Sequence, residues 1–129
     1  MITNKQVLEW LKPIFPDVPN WGINSINKNH EKVIGVYSRR NGPLQPKAVG
    51  GLSSYGIKPI TLLIHWGEYA TPCEEQTNKM YERLQKCSTE ERIGSSRCWI
   101  DARQLPVQLG KDETGKFEAV LDFDIYFRK

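Results

Sequence analysis

The clearest pattern in the chain is a strict alternation of side chains over residues 117–128. Hydrophobic residues occupy the odd positions, and mostly polar residues occupy the even ones. This period of two is that of a β-strand, whose successive side chains point to opposite faces of a sheet. The odd positions are Phe117, Ala119, Leu121, Phe123, Ile125 and Phe127, and the even ones are Glu118, Val120, Asp122, Asp124, Tyr126 and Arg128. The pattern predicts a strand with one face on the core and the other facing water or a partner.

Two segments show the period of a helix, one before the strands and one between them. Residues 4–14 carry hydrophobic side chains at helical spacing, and Thr3 with Gln6 forms a capping-box pattern at their start. A second amphipathic segment covers residues 72–86. There Thr71 is the predicted N-cap, with a proline at the first helical position. Both segments are predicted to be helices that pack on the sheet.

The remaining hydrophobic segments read as strands. They cover residues 21–27, 32–38, 59–66 and 97–103. The first two flank a short polar turn and are predicted to form a hairpin. The third is apolar at nearly every position, which is typical of a strand covered on both faces. Residues 39–58 contain four glycines and two prolines without clear periodicity, so a long loop is predicted, and loops of that length are usually functional or disordered.

These elements predict an α+β fold, a mixed and largely antiparallel β-sheet covered by two main helices. The length of 129 residues fits a single domain spanning 1–129. The side chains expected in its core include Leu62, Ile64, Leu84, Leu121 and Phe123.

Composition narrows the possible functions. The net charge of +3, with acidic and basic residues interspersed, is too small to indicate nucleic-acid binding by itself. No apolar run approaches the roughly 20 residues of a membrane helix, and no secretion signal is evident, so folding in the cytoplasm is expected. The three cysteines, Cys73, Cys87 and Cys98, are odd in number and lack a CxxC spacing, which favours reduced thiols over a disulfide or zinc site.

Candidate catalytic patterns are weak. The segment from Gly110 to Lys116 resembles a phosphate-binding P-loop, but Phe117 replaces the Ser or Thr of that motif and a strand follows instead of a helix. Glu118, Asp122 and Asp124 share one strand face and could bind a metal together with His65, as in a small metal-dependent nuclease. The alternative is a solvated strand face and a hydrogen-bonded sheet histidine. We therefore expect no catalytic residue, no cofactor and no metal.

A resemblance to a known family favours assembly over catalysis. The strand Leu62-Leu63-Ile64-His65-Trp66, its following Gly67 turn and helix, and the segment Leu109-Gly110-Lys111-Asp112-Glu113 with a closing aromatic strand are its most specific parts. With the N-terminal helix and the Gly/Pro-rich loop, they resemble the minor capsid and tail-terminator proteins of tailed phages and prophages. The resemblance covers most of the chain and carries no catalytic signature.

The resemblance implies a structural protein that forms a homo-oligomeric ring, typically a hexamer, on the finished tail tube. Its implied partners are further copies of itself, the tail tube protein and a head-completion or neck protein. It would be found in the host cytoplasm during assembly and at the head–tail junction of the mature virion. Another neck component is the nearest alternative.

The long loop is the candidate assembly surface. It combines basic residues, which could contact an acidic partner or passing DNA, with apolar side chains that a solvated linker would not need. The candidate interface residues are Arg39, Arg40, Leu44, Lys47, Leu52, Tyr55 and Ile57.

Overall fold

A mixed sheet with two helices makes up the part of the chain that the computed structural model describes, residues 1–40, 42–45 and 54–129. The helices are α1 (Asn4–Ile14) and α2 (Ala70–Gln85), and the strands are β1 (Trp21–Ile23), β2 (Lys32–Ser38), β3 (Tyr55–Trp66), β4 (Glu91–Ile93), β5 (Ser96–Asp101), β6 (Val107–Lys111) and β7 (Phe117–Arg128). The strand order is β1-β2-β3-β7-β5-β4, and β6 pairs with β7. Only the β1–β2 pairing among the described strands is parallel. The predicted α+β class and mixed, largely antiparallel sheet are confirmed.

Strands β3 and β7 form the centre of the sheet. They are antiparallel from Tyr55 opposite Arg128 to His65 opposite Glu118. On one side, here called the inner face, Leu62 lies opposite Leu121 and both are fully buried. The inner face packs with the two helices into one hydrophobic cluster, which includes all five predicted core residues. The opposite side of the two strands is called the outer face.

Helix α1 has the bounds and the cap that the sequence predicts. The Thr3 hydroxyl accepts a hydrogen bond from the Gln6 backbone at 3.2 Å, and the Gln6 side chain accepts one from the Thr3 backbone at 3.0 Å. This reciprocal pair satisfies two donors that a helix start leaves free. The buried side of the helix includes Val7 and Leu11, which are fully enclosed.

Helix α2 begins earlier than predicted. Its N-cap is Tyr69, which makes no side-chain capping bond, so the prediction of Thr71 as N-cap is wrong. Pro72 occupies the third helical position, where its missing N–H costs no helical hydrogen bond. Met80 and Leu84 lie on the buried side, and the helix packs on β3 and β7 as expected.

The predicted hairpin of the first two strands is wrong. Strand β1 ends at Ile23, and it runs parallel to β2 with Gly22 opposite Gly35. After β1 the chain leaves the sheet and crosses the outer face. Ile26 packs there over Gly35, where a Cβ atom would lie only 2.7 Å from the Ile26 methyl carbon. The close approach explains why a glycine stands in the middle of a strand.

The start of one strand and the presence of two others also differ from the sequence prediction. Strand β3 starts at Tyr55, so the last four residues of the segment predicted as loop belong to the strand. The short β4 and the five-residue β6 were not predicted, because three residues are too few to show a period and Pro106 and Gly110 favoured a loop around β6.

Candidate assembly surface

Strand β6 is an open and hydrophobic edge of the sheet. It is held against β7 by a turn in which Asp112 Oδ1 accepts hydrogen bonds from the Thr114 and Lys116 backbone N–H groups. Within the described part of the chain β6 pairs with β7 alone. Val107 and Leu109 on this strand are each 54% exposed, and Leu105 just before it is 71% exposed. Isolated proteins usually protect such an edge with charge, proline, a bulge or a covering element. Here Pro106 precedes the strand and the register with β7 shifts between Gln108 and Gly110, but the apolar side chains stay exposed.

The opposite end of the sheet carries a groove. Strand β1 is the last strand on that side, and a groove of about 680 Å³ lies between it and α1. Its lining includes the apolar side chains of Leu8, Phe15 and Trp21 together with the charged Lys5 and Lys12. An apolar side chain from another molecule would find both hydrophobic contact and a polar rim here.

A third exposed apolar region lies on the outer face near the end of β7. Tyr55 and Tyr126 stack with their ring centroids 6.3 Å apart, and Trp99 lies directly opposite Tyr126 in the β5–β7 register. Tyr55 is 41% exposed and Trp99 is 38% exposed. Aromatic side chains of this kind are enriched in protein interfaces.

The residues of the predicted loop interface differ in how exposed they are. Arg39 lies in a partly buried ion pair with Asp124, and Ile57 is only 8% exposed. The Ile57 backbone N–H donates to the side chain of Gln45, which continues the hydrogen bonding of β3 beyond the end of β2. Arg40 is exposed, and Leu44 is 92% exposed.

Two predicted interface residues, Lys47 and Leu52, lie outside the described residues. Tyr55 belongs to β3 and joins the aromatic region. Of the described members of the predicted interface, Arg39 and Ile57 are thus largely enclosed within the subunit, whereas Arg40 and Leu44 are exposed.

The structure does not bring together the four candidate metal ligands of the sequence analysis, which are His65, Glu118, Asp122 and Asp124. Asp122 accepts a hydrogen bond from Thr61 at 2.6 Å, and Asp124 pairs with Arg39. His65 does meet Glu118, with Nδ1 3.0 Å from the Glu118 Oε2, and the ring is fully buried. The hydrogen bond predicted for this sheet histidine is present.

Sequence reasoning missed the side chain that completes this group. Asp112 follows β6, and its Oδ2 lies 3.5 Å from His65 Nδ1 with the side chain only 3% exposed. Burial alone would raise the pKa of Asp112, but hydrogen bonds from Thr114 and Lys116 and the nearby His65 outweigh it, so the pKa is lowered. The sequence showed Asp112 only as part of a polar turn, because its distance from His65 is set by the β6–β7 and β3–β7 pairings together.

A sequence pattern for the β6 edge was present. Leu105, Val107 and Leu109 recur at every second position, which is the period of a strand. Pro106 and Gly110 within the same stretch favoured a loop instead.

Comparison with known proteins supports the fold. No protein-family model and no curated protein matches the chain. A solved structure whose name states no function is similar over 98% of this chain and 90% of that chain, with a TM-score of 0.51 and 14% identity. A similarity at this identity concerns the arrangement of helices and strands alone. Among the described residues, neither helix is long and apolar enough to span a membrane.

Proposed function

We propose that this chain is a structural subunit of phage or prophage assembly, a tail terminator that forms a ring on the end of the tail tube. The resemblance of its strand and turn motifs to that family suggests the role. The single structural observation that supports it best is the exposed hydrophobic edge at β6, which pairs with β7 and is separated from the α1–β1 groove by strands β2, β3 and β7.

The positions of the two surfaces are compatible with a ring. They lie at opposite ends of the strand series β1-β2-β3-β7-β6, so contact between them in neighbouring copies joins two different surfaces. Such a heterologous contact closes into a ring when its rotation divides a full turn, and otherwise gives a filament. Leu105, Val107 and Leu109 of one copy would enter the groove beside Trp21 of the next.

In the proposed ring, the aromatic region takes no part in the contact between copies and is available to a different partner. Tyr55, Trp99 and Tyr126 lie on the outer face, about six residues along β7 from the pairing with β6, or roughly 20 Å at the rise of a strand. In the proposed assembly this region would contact the tail tube protein or a neck protein. Exposed Arg40 would add a positive charge near that contact or near passing DNA.

The test is the oligomeric state of the purified chain and of a charged edge variant. We expect the wild-type chain to form a closed ring, a hexamer by the family resemblance, in light scattering and negative-stain electron microscopy. Leu109→Lys should leave a folded monomer. Burying an ammonium group without a partner at the contact costs more free energy than the apolar contact contributes. With tail tubes added, the wild-type ring should cap their ends and the variant should not.

A matched control separates the edge from a general effect of charge. Asn78→Lys adds the same charge on the exposed side of α2 and should assemble as the wild-type chain does. A wild-type chain that stays monomeric both alone and with tail tubes would contradict the proposal. Normal rings of Leu109→Lys would contradict the assignment of β6 to the contact.

A further inference from the structure

A second site, buried and distinct from the apolar surfaces, lies on the outer face between β3, β7 and the β6–β7 turn. Its three side chains are His65, Asp112 and Glu118, whose candidate ligand atoms all lie within 4.8 Å of one another. We propose that these residues bind one divalent transition-metal ion, of the class of Zn²⁺, Co²⁺ or Mn²⁺. The site does not depend on the proposed ring.

The distances fit a shared ion. His65 Nδ1 lies 3.0 Å from Glu118 Oε2 and 3.5 Å from Asp112 Oδ2. Ligands bound at about 2.0–2.1 Å in a tetrahedral arrangement lie about 3.3 Å apart. Two of the three distances are close to this value, and the third, between the two carboxylates, is no longer than 4.8 Å. An ion between the three atoms would replace the contact between His65 Nδ1 and Glu118.

The burial of the cluster indicates that its two carboxylates need a compensating positive charge. The His65 side chain is fully buried, Asp112 is 3% exposed and Glu118 is 12% exposed. Asp112 Oδ2 points into the cluster, is itself buried, and has no hydrogen-bond partner among the described residues. Two buried carboxylates beside one imidazole leave negative charge poorly compensated, which is costly in a low-dielectric site. A divalent ion supplies the two positive charges that the carboxylates require.

The donor set selects the class of ion. One imidazole nitrogen suits zinc and other first-row transition metals, whereas Ca²⁺ and Mg²⁺ prefer sites made of oxygen alone. Three protein ligands leave a fourth position for water. An ion here would tie the β6–β7 turn to β3.

Lys28 is the competing cation. Its Nζ lies 4.0 Å from Asp112 Oδ2 and 3.0 Å from Glu113 Oε1, and its side chain is 40% exposed. The long side chain can therefore swing into solvent when an ion enters. Removing its charge should strengthen metal binding, since a positive charge close to a ligand opposes a bound cation.

The test is a titration of the chelator-treated protein with Co²⁺ and Zn²⁺, followed by calorimetry and by the visible absorption of cobalt. We expect one ion per chain and a cobalt spectrum without the sulfur-to-metal charge-transfer band of thiolate ligands. Asp112→Asn and Glu118→Gln should each weaken binding by at least about 10-fold, the lower range seen even for outer-shell changes. Lys28→Met should tighten it.

Glu113→Gln is the matched control, because Glu113 neighbours Asp112 and contacts Lys28 but lies outside the three ligands. It should retain all three ligands and should not weaken binding. Absence of binding by the wild-type chain, a thiolate band, or unchanged affinity in both ligand variants would overturn the proposal.

A measurement on the wild-type chain avoids any folding defect of the variants. The sequence contains two histidines, so their ring nitrogens are readily assigned by NMR. Addition of Zn²⁺ should shift His65 Nδ1 and leave the exposed His30 unchanged. A shift confined to His30 would also overturn the proposal.

Discussion

The inner and outer faces of the β3–β7 pair are built from the same two strands but differ in how polarity relates to burial. On the inner face every core side chain is apolar and enclosed, as Leu62 opposite Leu121 illustrates. On the outer face a polar side chain is buried and an aromatic side chain is exposed. The polar His65 is fully buried at one end, while Tyr55 is 41% exposed at the other.

The difference shows which face specifies the fold and which is available for function. Apolar burial on the inner face contributes non-directional stability that tolerates small rearrangements. A buried histidine and carboxylates require defined partners, because an unpaired polar group in the interior is costly. Exposed aromatics and aliphatic edge residues add little to a lone chain but provide area for contact with another.

The largest expected effect is in the hydrophobic cluster on the inner face, to which α2 contributes Leu84. Leu84→Ala should lower the free energy of unfolding by roughly 2–5 kcal/mol, the range for truncating a buried leucine. Leu109→Ala, at a 54% exposed position, should cost less than about 0.5 kcal/mol. Urea unfolding at a concentration where the chain is monomeric measures both. Equal costs for the two leucines would contradict the division between core and open edge.

The buried polar end of the outer face should show an intermediate effect. Glu118→Ala removes the carboxylate that lies 3.0 Å from His65 Nδ1 and leaves that ring atom buried without this partner. The expected loss of stability in metal-free urea unfolding is about 1–3 kcal/mol. Glu113→Ala, whose side chain is 77% exposed, should stay within about 0.5 kcal/mol of the wild-type chain. A Glu118 variant as stable as the Glu113 variant would show that the cluster contributes nothing to folding.

The smallest effect concerns pH. The folded pKa of Asp112 is below its ordinary value of 3.8, so the stability it contributes is present above that pH and is lost as the pH falls through the lower folded value. Between about pH 5 and pH 3, metal-free Asp112→Asn should therefore lose less stability than the wild-type chain does. Some acid sensitivity should remain, because the pKa values of Asp17 and Glu113 are also lowered. Parallel losses in the two proteins would refute a contribution from Asp112.

The predictable part of the structure is the part with local patterns. The capping box at Thr3 and the helical spacing after it predicted α1, and the alternation from Phe117 onward predicted β7 and its buried face. The parallel pairing of β1 was missed because the turn-like residues before β2 resemble a hairpin turn. The chain instead crosses the outer face over Gly35, and no local pattern records that path.

The candidate sites were predictable to a smaller extent. The resemblance to tail terminators stays a hypothesis about function, and it named no contact residue. The loop residues chosen from composition include Arg39, which the structure places in an ion pair instead of on a free surface. The exposed β6 edge has an alternating pattern in the sequence, but only the structure shows that no described element covers it.

By itself, the sequence determined the helices, the longest strands and the division of β7 into two faces, because these depend on periods of 3.6 and 2 within one segment. The tertiary structure alone decided which distant side chains meet. His65 and Glu118 are 53 positions apart, and they face each other because eleven residue pairs set the antiparallel register of β3 and β7. Shifting one of the two strands by one residue would move each of its outer side chains to the inner face. The buried cluster and the open edge are therefore products of strand pairing, which no single segment of the chain specifies.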